Sequence, residues 1–224
     1  MPDDHLTQCS LCTKRVCSSE HTEEALENCP MITSKDVLDS ALANYDDPEL
    51  LEFARQASIQ EAECHGQSPL GKTMIHPRVE ETYLFAKKMG YKKLGLAFCM
   101  GLSNEAKTLT EILQNKGFEV VSVCCKCGAV DKSEIGLKPE DKISKSDKFE
   151  AMCNPIAQAK LLNDANTDFN ILIGLCVGHD ALFLKHVEQL TTVMIVKDRV
   201  TGHNPAAVLY AKGPYYRRLY QKEA

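Results

Sequence analysis

The sequence lacks tryptophan and carries no surplus of basic residues: 26 Lys and Arg stand against 31 Asp and Glu, a formal net charge of -5. That balance argues against a nucleic-acid footprint or an anionic membrane surface. The acidic residues are dispersed, so there is no acidic tail either. No apolar stretch approaches the roughly 20 residues that a membrane span needs. The start, Met1-Pro2-Asp3-Asp4-His5, has neither the basic region nor the apolar core of a secretory signal. These absences lead to the expectation of a cytoplasmic protein that binds neither nucleic acid nor membrane.

What the chain has in plenty is cysteine, 11 residues in 224. In a reducing compartment such thiols are expected to be metal ligands or reactive groups rather than disulfides. An odd count that includes an adjacent pair, Cys124-Cys125, also fits a disulfide framework poorly. The length suits one large domain, or a core with a small appendage.

The first group is Cys9-x2-Cys12-x4-Cys17-x11-Cys29, with Pro30 next. Four thiols fall in a stretch too poor in apolar residues to build a core, and a bound metal would supply the missing folding energy. A structural four-thiolate zinc site usually has two Cys-x2-Cys hooks, and only one is present. Three close cysteines plus a distant one followed by proline lean towards an iron–sulfur cluster, of the 4Fe-4S type, over zinc.

Residues 1–34 form this cysteine-rich segment. Residues 35–76 form a helical bridge, with amphipathic helices expected over 35–45 and 48–64; Asp47 is the N-cap of the second and Pro48 its first residue. Cys64 closes that helix, as an extra ligand or a small buried hydrophobe. Gly66-Gln67-Ser68-Pro69-Leu70-Gly71-Lys72-Thr73 matches a phosphate-binding loop letter for letter. A helix precedes it, however, where that loop needs a buried strand, and His76-Pro77 interrupts any helix after it. A linker is the expected reading.

Residues 77–224 read as the main domain. Strands alternate with helices, which predicts an α/β fold with a mainly parallel sheet of four or five strands, Rossmann-like or flavodoxin-like in its winding. Helices are expected over 77–89, from 103, with Ser103 as N-cap, to 115, over 155–162, and over 181–190. The central strand, 171–175, is a continuous apolar run of the kind buried on both faces. It leads into Cys176-Val177-Gly178-His179-Asp180. A second strand ends in Cys99-Met100-Gly101, a third in Cys124-Cys125-Lys126-Cys127, and Cys153-Asn154-Pro155 opens a helix. Residues 131–150 are a charged excursion beside these cysteines.

In a parallel sheet these thiols meet at the carboxyl edge, where open α/β sheets bind ligands. Cys99, Cys125, Cys153 and Cys176 are the candidate ligands of a second metal centre or cofactor site. Cys124 and Cys127 compete with Cys125, because neighbours on a strand point to opposite faces. Candidate catalytic residues are Cys176, His179, Lys197 and His203. The consecutive charges Lys197, Asp198 and Arg199 at a strand end could tune a metal or bind an anionic substrate.

The stretches Phe98-Cys99-Met100-Gly101-Leu102, Cys124-Cys125-Lys126, Cys153-Asn154-Pro155-Ile156-Ala157-Gln158-Ala159, Gly174-Leu175-Cys176-Val177-Gly178-His179-Asp180 and His203-Asn204-Pro205 resemble those of a cysteine-rich family, domain of unknown function 1847. Its members are described as predicted metal-binding proteins of bacteria and archaea. The resemblance covers nearly the whole chain, implies metal binding, and brings no substrate. The leading expectation is therefore an iron–sulfur protein with one or two 4Fe-4S clusters, performing redox or sulfur-transfer chemistry with a redox partner or a small sulfur-containing substrate. The alternatives are a zinc-stapled sensing or storage module without turnover, and thiol catalysis with Cys176 as nucleophile.

Overall fold

The computed structural model describes residues 7–69, 71–211 and 213–221. Two compact units are formed, Met1–Ile59 and Gln60–Ala224. In the first, the cysteine segment consists of short 3-10 turns at Cys9–Leu11, Val16–Ser18 and Thr22–Glu24. Helices α1 (Pro30–Thr33) and α2 (Lys35–Ala43) follow, and then α3 (Pro48–Glu63), whose last turn belongs to the second unit. The Asp47 carboxylate accepts from the Glu49 and Leu50 N–H groups, so it caps α3 as its sequence position suggests.

In the second unit the stretch resembling a phosphate loop is neither that loop nor a linker. It folds as an antiparallel hairpin of β1 (His65–Ser68) and β2 (Gly71–Met74). Gly71, at a φ of 108°, turns the chain where a side chain would strain it. Cys64 just before it is 1% exposed and donates to the His76 carbonyl oxygen. Its thiol is pushed up by the Glu81 carboxylate and by burial.

The rest is built on four parallel strands: β3 (Lys93–Phe98), β4 (Glu119–Cys124), β5 (Phe169–Ile173) and β6 (Thr191–Ile195), in the spatial order β4-β3-β5-β6. Helices α4 (Arg78–Lys88), α5 (Ser103–Asn115), α6 (Pro155–Asp164), α7 (His179–His186) and α8 (Ala206–Tyr210) surround or follow the strands. This is the doubly wound arrangement expected from the alternation of elements. β5 is buried along its whole length, as a strand covered on both faces must be. Ala159, Leu162 and Phe183 of α6 and α7 pack with Ala97, Val123 and Leu172 of the sheet. Each fully buried Leu or Phe there contributes about 1.5–3 kcal/mol.

Two local expectations are corrected. Ser103 is the first residue of α5 and not its cap, because a 3-10 turn, Met100–Leu102, intervenes after the strand. α7 begins at His179, after Gly178 with a φ of 85°, so His179 belongs to the helix.

The strand order also fixes where a ligand belongs. From β3 the chain moves outward to β4, then crosses back to place β5 on the other flank of β3. The carboxyl ends of β3 and β5 thus form the crevice where the winding reverses, the binding position of such sheets.

Candidate thiol centre

Cys99 follows β3 and Cys176 follows β5, one on each side of that crevice. Cys99 is held by its N–H to the Ile173 carbonyl at 3.1 Å. Cys125 extends β4, its N–H donating to the Phe98 carbonyl at 2.9 Å. Its own carbonyl accepts the Asn154 N–H at 2.8 Å. That bond ties the turn after β4 to the segment entering α6. Met152 N–H to the Val130 carbonyl and Lys126 Nζ to the Ala151 carbonyl extend the zipper. Asn154 caps α6 by accepting from Ala157 N–H at 3.0 Å.

The zipper brings the Cys125 and Cys153 thiols close enough for each to shift the other's ionisation. Cys125 is raised far above an ordinary thiol, by the Cys153 sulfur first and by burial next. Cys153 is lowered first by Cys125, against burial, with Lys126 and His179 adding positive charge. The Met100 N–H also donates to the Cys125 sulfur at 3.3 Å and opposes this split. The Lys126 cation acts on Cys153, so Cys153 is the more readily ionised thiol of the two. Among the three cysteines at and just beyond the end of β4, Cys125 is the one beside Cys153. Cys124 and Cys127 pack against the edge of the same core cluster.

Cations close the site. The Arg199 guanidinium donates to the Cys176 sulfur at 3.1 Å. Its charged form is held first by Cys176, then by Cys99 and Cys153. Lys197 Nζ lies over Gly101, 3.1 Å from where a Cβ on that residue would sit, and the Cys99 sulfur is 4.0 Å from the same point. Glycine at 101 therefore leaves room for Lys197 beside Cys99. His179 Nδ1 is buried with no hydrogen-bond partner among the described residues.

Cys99, Cys125, Cys153, Cys176, His179 and Lys197 are thus brought to one edge. His203 differs. Its backbone lies at a φ of 67°, its N–H donates to the Asp198 carbonyl, and its Nδ1 accepts the Asp198 N–H at 3.1 Å. It closes a turn that the Asp198 carboxylate also holds, through Val200 and Thr201 N–H. Arg199 is found where the run of charges Lys197, Asp198 and Arg199 suggests a group that meets a metal or an anion, whereas Lys126, between Cys125 and Cys127, is a site residue that the sequence reading does not single out.

In the first unit Cys9, Cys12 and Cys29 line one hollow of about 260 Å³, together with Leu11, Leu26 and Asn28. Cys17 lies in the next 3-10 turn and is exposed. Arg15 N–H donates to the Cys12 sulfur at 3.4 Å, and backbone donors from Arg15 and Lys14 lower that thiol. All described cysteines are free. The donor chemistry, soft sulfur at both places, suits zinc or an iron–sulfur cluster. Among the described residues, no three His, Cys, Asp or Glu side chains are placed to hold one metal ion. No helix among them is long and apolar enough to cross a membrane.

A protein family described as "Protein of unknown function (DUF1847)" matches residues 29–194. The uncharacterized protein MJ0455 of Methanocaldococcus jannaschii is 44% identical over 209 residues, covering 93% of this chain and 95% of that protein. No solved structure matches. The chain belongs to the DUF1847 family.

Proposed function

We propose that this member of the family is a cytoplasmic metal-binding thiol protein, most readily an iron–sulfur protein, whose sheet edge carries out redox or sulfur-transfer chemistry. The observation that carries the reading is the convergence of Cys99, Cys125, Cys153 and Cys176 from four separate elements, facing Arg199, Lys126 and Lys197. Those four would hold a 4Fe-4S cluster at the edge. Cys9, Cys12, Cys17 and Cys29 would hold another in the first unit. A cluster bound by thiolates would be anionic, and Arg199, Lys126 and Lys197 would offset its charge and tune its potential. When bound, it would supply one-electron transfer or activation of a sulfur species. The chain's own part is to keep four sulfurs at one crevice, to present Arg199 and Lys197 to an anionic substrate, and to leave the His179 Nδ1 beside it as a proton site. A redox partner or a small sulfur-containing substrate is the implied companion. Loading requires the Cys125 proton to leave, since metals bind the thiolate.

A second reading follows from the Arg199–Cys176 hydrogen bond. A guanidinium on a sulfur, with the His179 imidazole three residues on, whose buried Nδ1 has no partner among the described residues, also suits Cys176 as a nucleophile that attacks an anionic substrate without metal.

Purification without oxygen, an absorption spectrum, and counts of iron, zinc and acid-labile sulfide per chain separate these. About eight irons with matching sulfide, halved in Cys12→Ser and in Cys176→Ser, is the result expected for two cubes. Zinc alone without colour overturns the redox reading. Metal-free protein inactivated by alkylation at Cys176 establishes the second.

A further inference from the structure

Cys124 and Cys127 are not among the ligands proposed above, yet they form the sequence Cys-x2-Cys around Cys125 and Lys126. The chain between them is a hydrogen-bonded turn, with Cys127 N–H donating to the Cys124 carbonyl at 3.1 Å. Such a turn brings its first and fourth Cα atoms within about 7 Å. That is essentially the span a disulfide bridges, about 4.4–6.8 Å. Both thiols are half-buried and pack against the same core cluster. The turn is held from both sides, by Cys125 N–H on Phe98 and by Asn154 N–H on Cys125. It is followed by exposed Gly128 and Ala129, which leave its rim open to a small reagent.

We infer that Cys124 and Cys127 are a redox-active dithiol that exchanges with low-molecular-weight disulfides. The step balances as ordinary thiol–disulfide exchange. One cysteine, as thiolate, attacks a sulfur of RS–SR; that S–S bond breaks and RS⁻ leaves, taking up a proton. The second cysteine then attacks the mixed disulfide, forms the Cys124–Cys127 bond, and releases the second RSH. The two cysteines lose two electrons and two protons, and the small disulfide gains them. The dithiol is fixed at the end of β4, on either side of Cys125 and Lys126. The inference does not depend on which metal, if any, the neighbouring centre holds.

The test uses the full chain, purified without oxygen and equilibrated with glutathione and glutathione disulfide at a series of ratios. Remaining thiols are alkylated and the protein digested with trypsin. Cleavage after Lys126 places Cys124 on peptide 117–126 and Cys127 on peptide 127–132. As the disulfide fraction rises, these peptides should become joined, with loss of two alkylatable thiols. Fragmentation should then find the alkyl group of the first peptide on Cys125. In Cys124→Ser the joined species should vanish. The inference is overturned if Cys127 stays alkylatable at every ratio, if each thiol is recovered only as a glutathione adduct, or if the bridge maps to Cys125.

Discussion

The Arg199 guanidinium and the Cys176 sulfur, 23 residues apart, meet at 3.1 Å because their segments leave neighbouring parallel strands, β6 and β5. A small anion entering the crevice finds a fork of N–H donors beside a thiol. Thiosulfate should therefore slow alkylation of Cys176 in the wild-type protein. Arg199→Ala should weaken that protection by at most about fivefold, since an exposed charge pair contributes up to ~1 kcal/mol. Arg199→Lys, which keeps the charge but not the planar fork, should fall between. Equal protection in all three proteins would take Arg199 out of anion binding.

Asn154 serves two elements at once. Its side chain caps α6 at Ala157 N–H and its own N–H holds the Cys125 carbonyl. Asn154→Ala removes the cap and should cost about 1 kcal/mol, lowering Tm by roughly 2–4 °C for a unit of this size. Asn154→Asp should retain most of the stability, because a carboxylate caps as well as an amide. A thermal melt of the three proteins checks both statements. A wild-type Tm for the alanine variant would mean that the cap contributes nothing here.

The contrast between α3 and the hairpin shows what was legible in the sequence. Asp47 and Pro48 mark the start of α3 by local chemistry, and the unbroken apolar run of β5 marks a buried strand; both hold in the structure. The hairpin at residues 65–74 has no alternating apolar pattern, and its four β2 residues are all exposed, so periodicity carried no signal for it. The meeting of Cys125 with Cys153 was out of reach for a different reason. It depends on the Asn154–Cys125 bond across a long excursion, a non-local pairing that no spacing rule encodes. Strand alternation sends the cysteines at the end of β4 to two faces, but the choice between them is made by Met100 N–H and Cys153 from elsewhere in the chain.

Gly95 and Asn170 pair across β3 and β5, and a Cβ added at Gly95 would lie 2.0 Å from the Asn170 Oδ1. Asn170 is fully buried, and its Oδ1 accepts from the Thr167 hydroxyl at 2.9 Å. It therefore has little freedom to retreat. Gly95→Ala should destabilise by about 1–3 kcal/mol, as overpacking of a close-packed core does. In an Asn170→Ala background the same change should cost less, because the atom it strikes is gone. Urea denaturation of the four proteins measures the coupling. Simple additivity would show that the clash is relieved by backbone movement instead.

The excursion over residues 131–150 is pinned by two carboxylates, and this gives it a defined response to acid. Asp131 accepts from Lys142, whose side chain is 5% exposed, and from Ser133 and Glu150 N–H. Lys142 first, then these backbone donors, hold its carboxyl well below the usual range. Glu150 pairs with Lys132 and accepts from Ser144 and Ile143 N–H, which lower it to about 2. Unfolded, the two groups titrate near 3.9 and 4.3. The folded chain thus binds fewer protons through the acid range, and stability rises with pH there. The contribution is complete above about pH 5 and is lost as the pH falls through the folded values. Asp131→Asn and Glu150→Gln should lower the urea midpoint at pH 7, and the gap to wild type should close towards pH 2. A gap that stays constant with pH would mean that shape, not charge, fixes the excursion. Its release would also slacken the segment bearing Cys153, because Glu150, Ala151 and Met152 are held by Lys132, Lys126 and Val130. Amide hydrogen exchange over residues 149–154 should therefore speed up in both variants at pH 7.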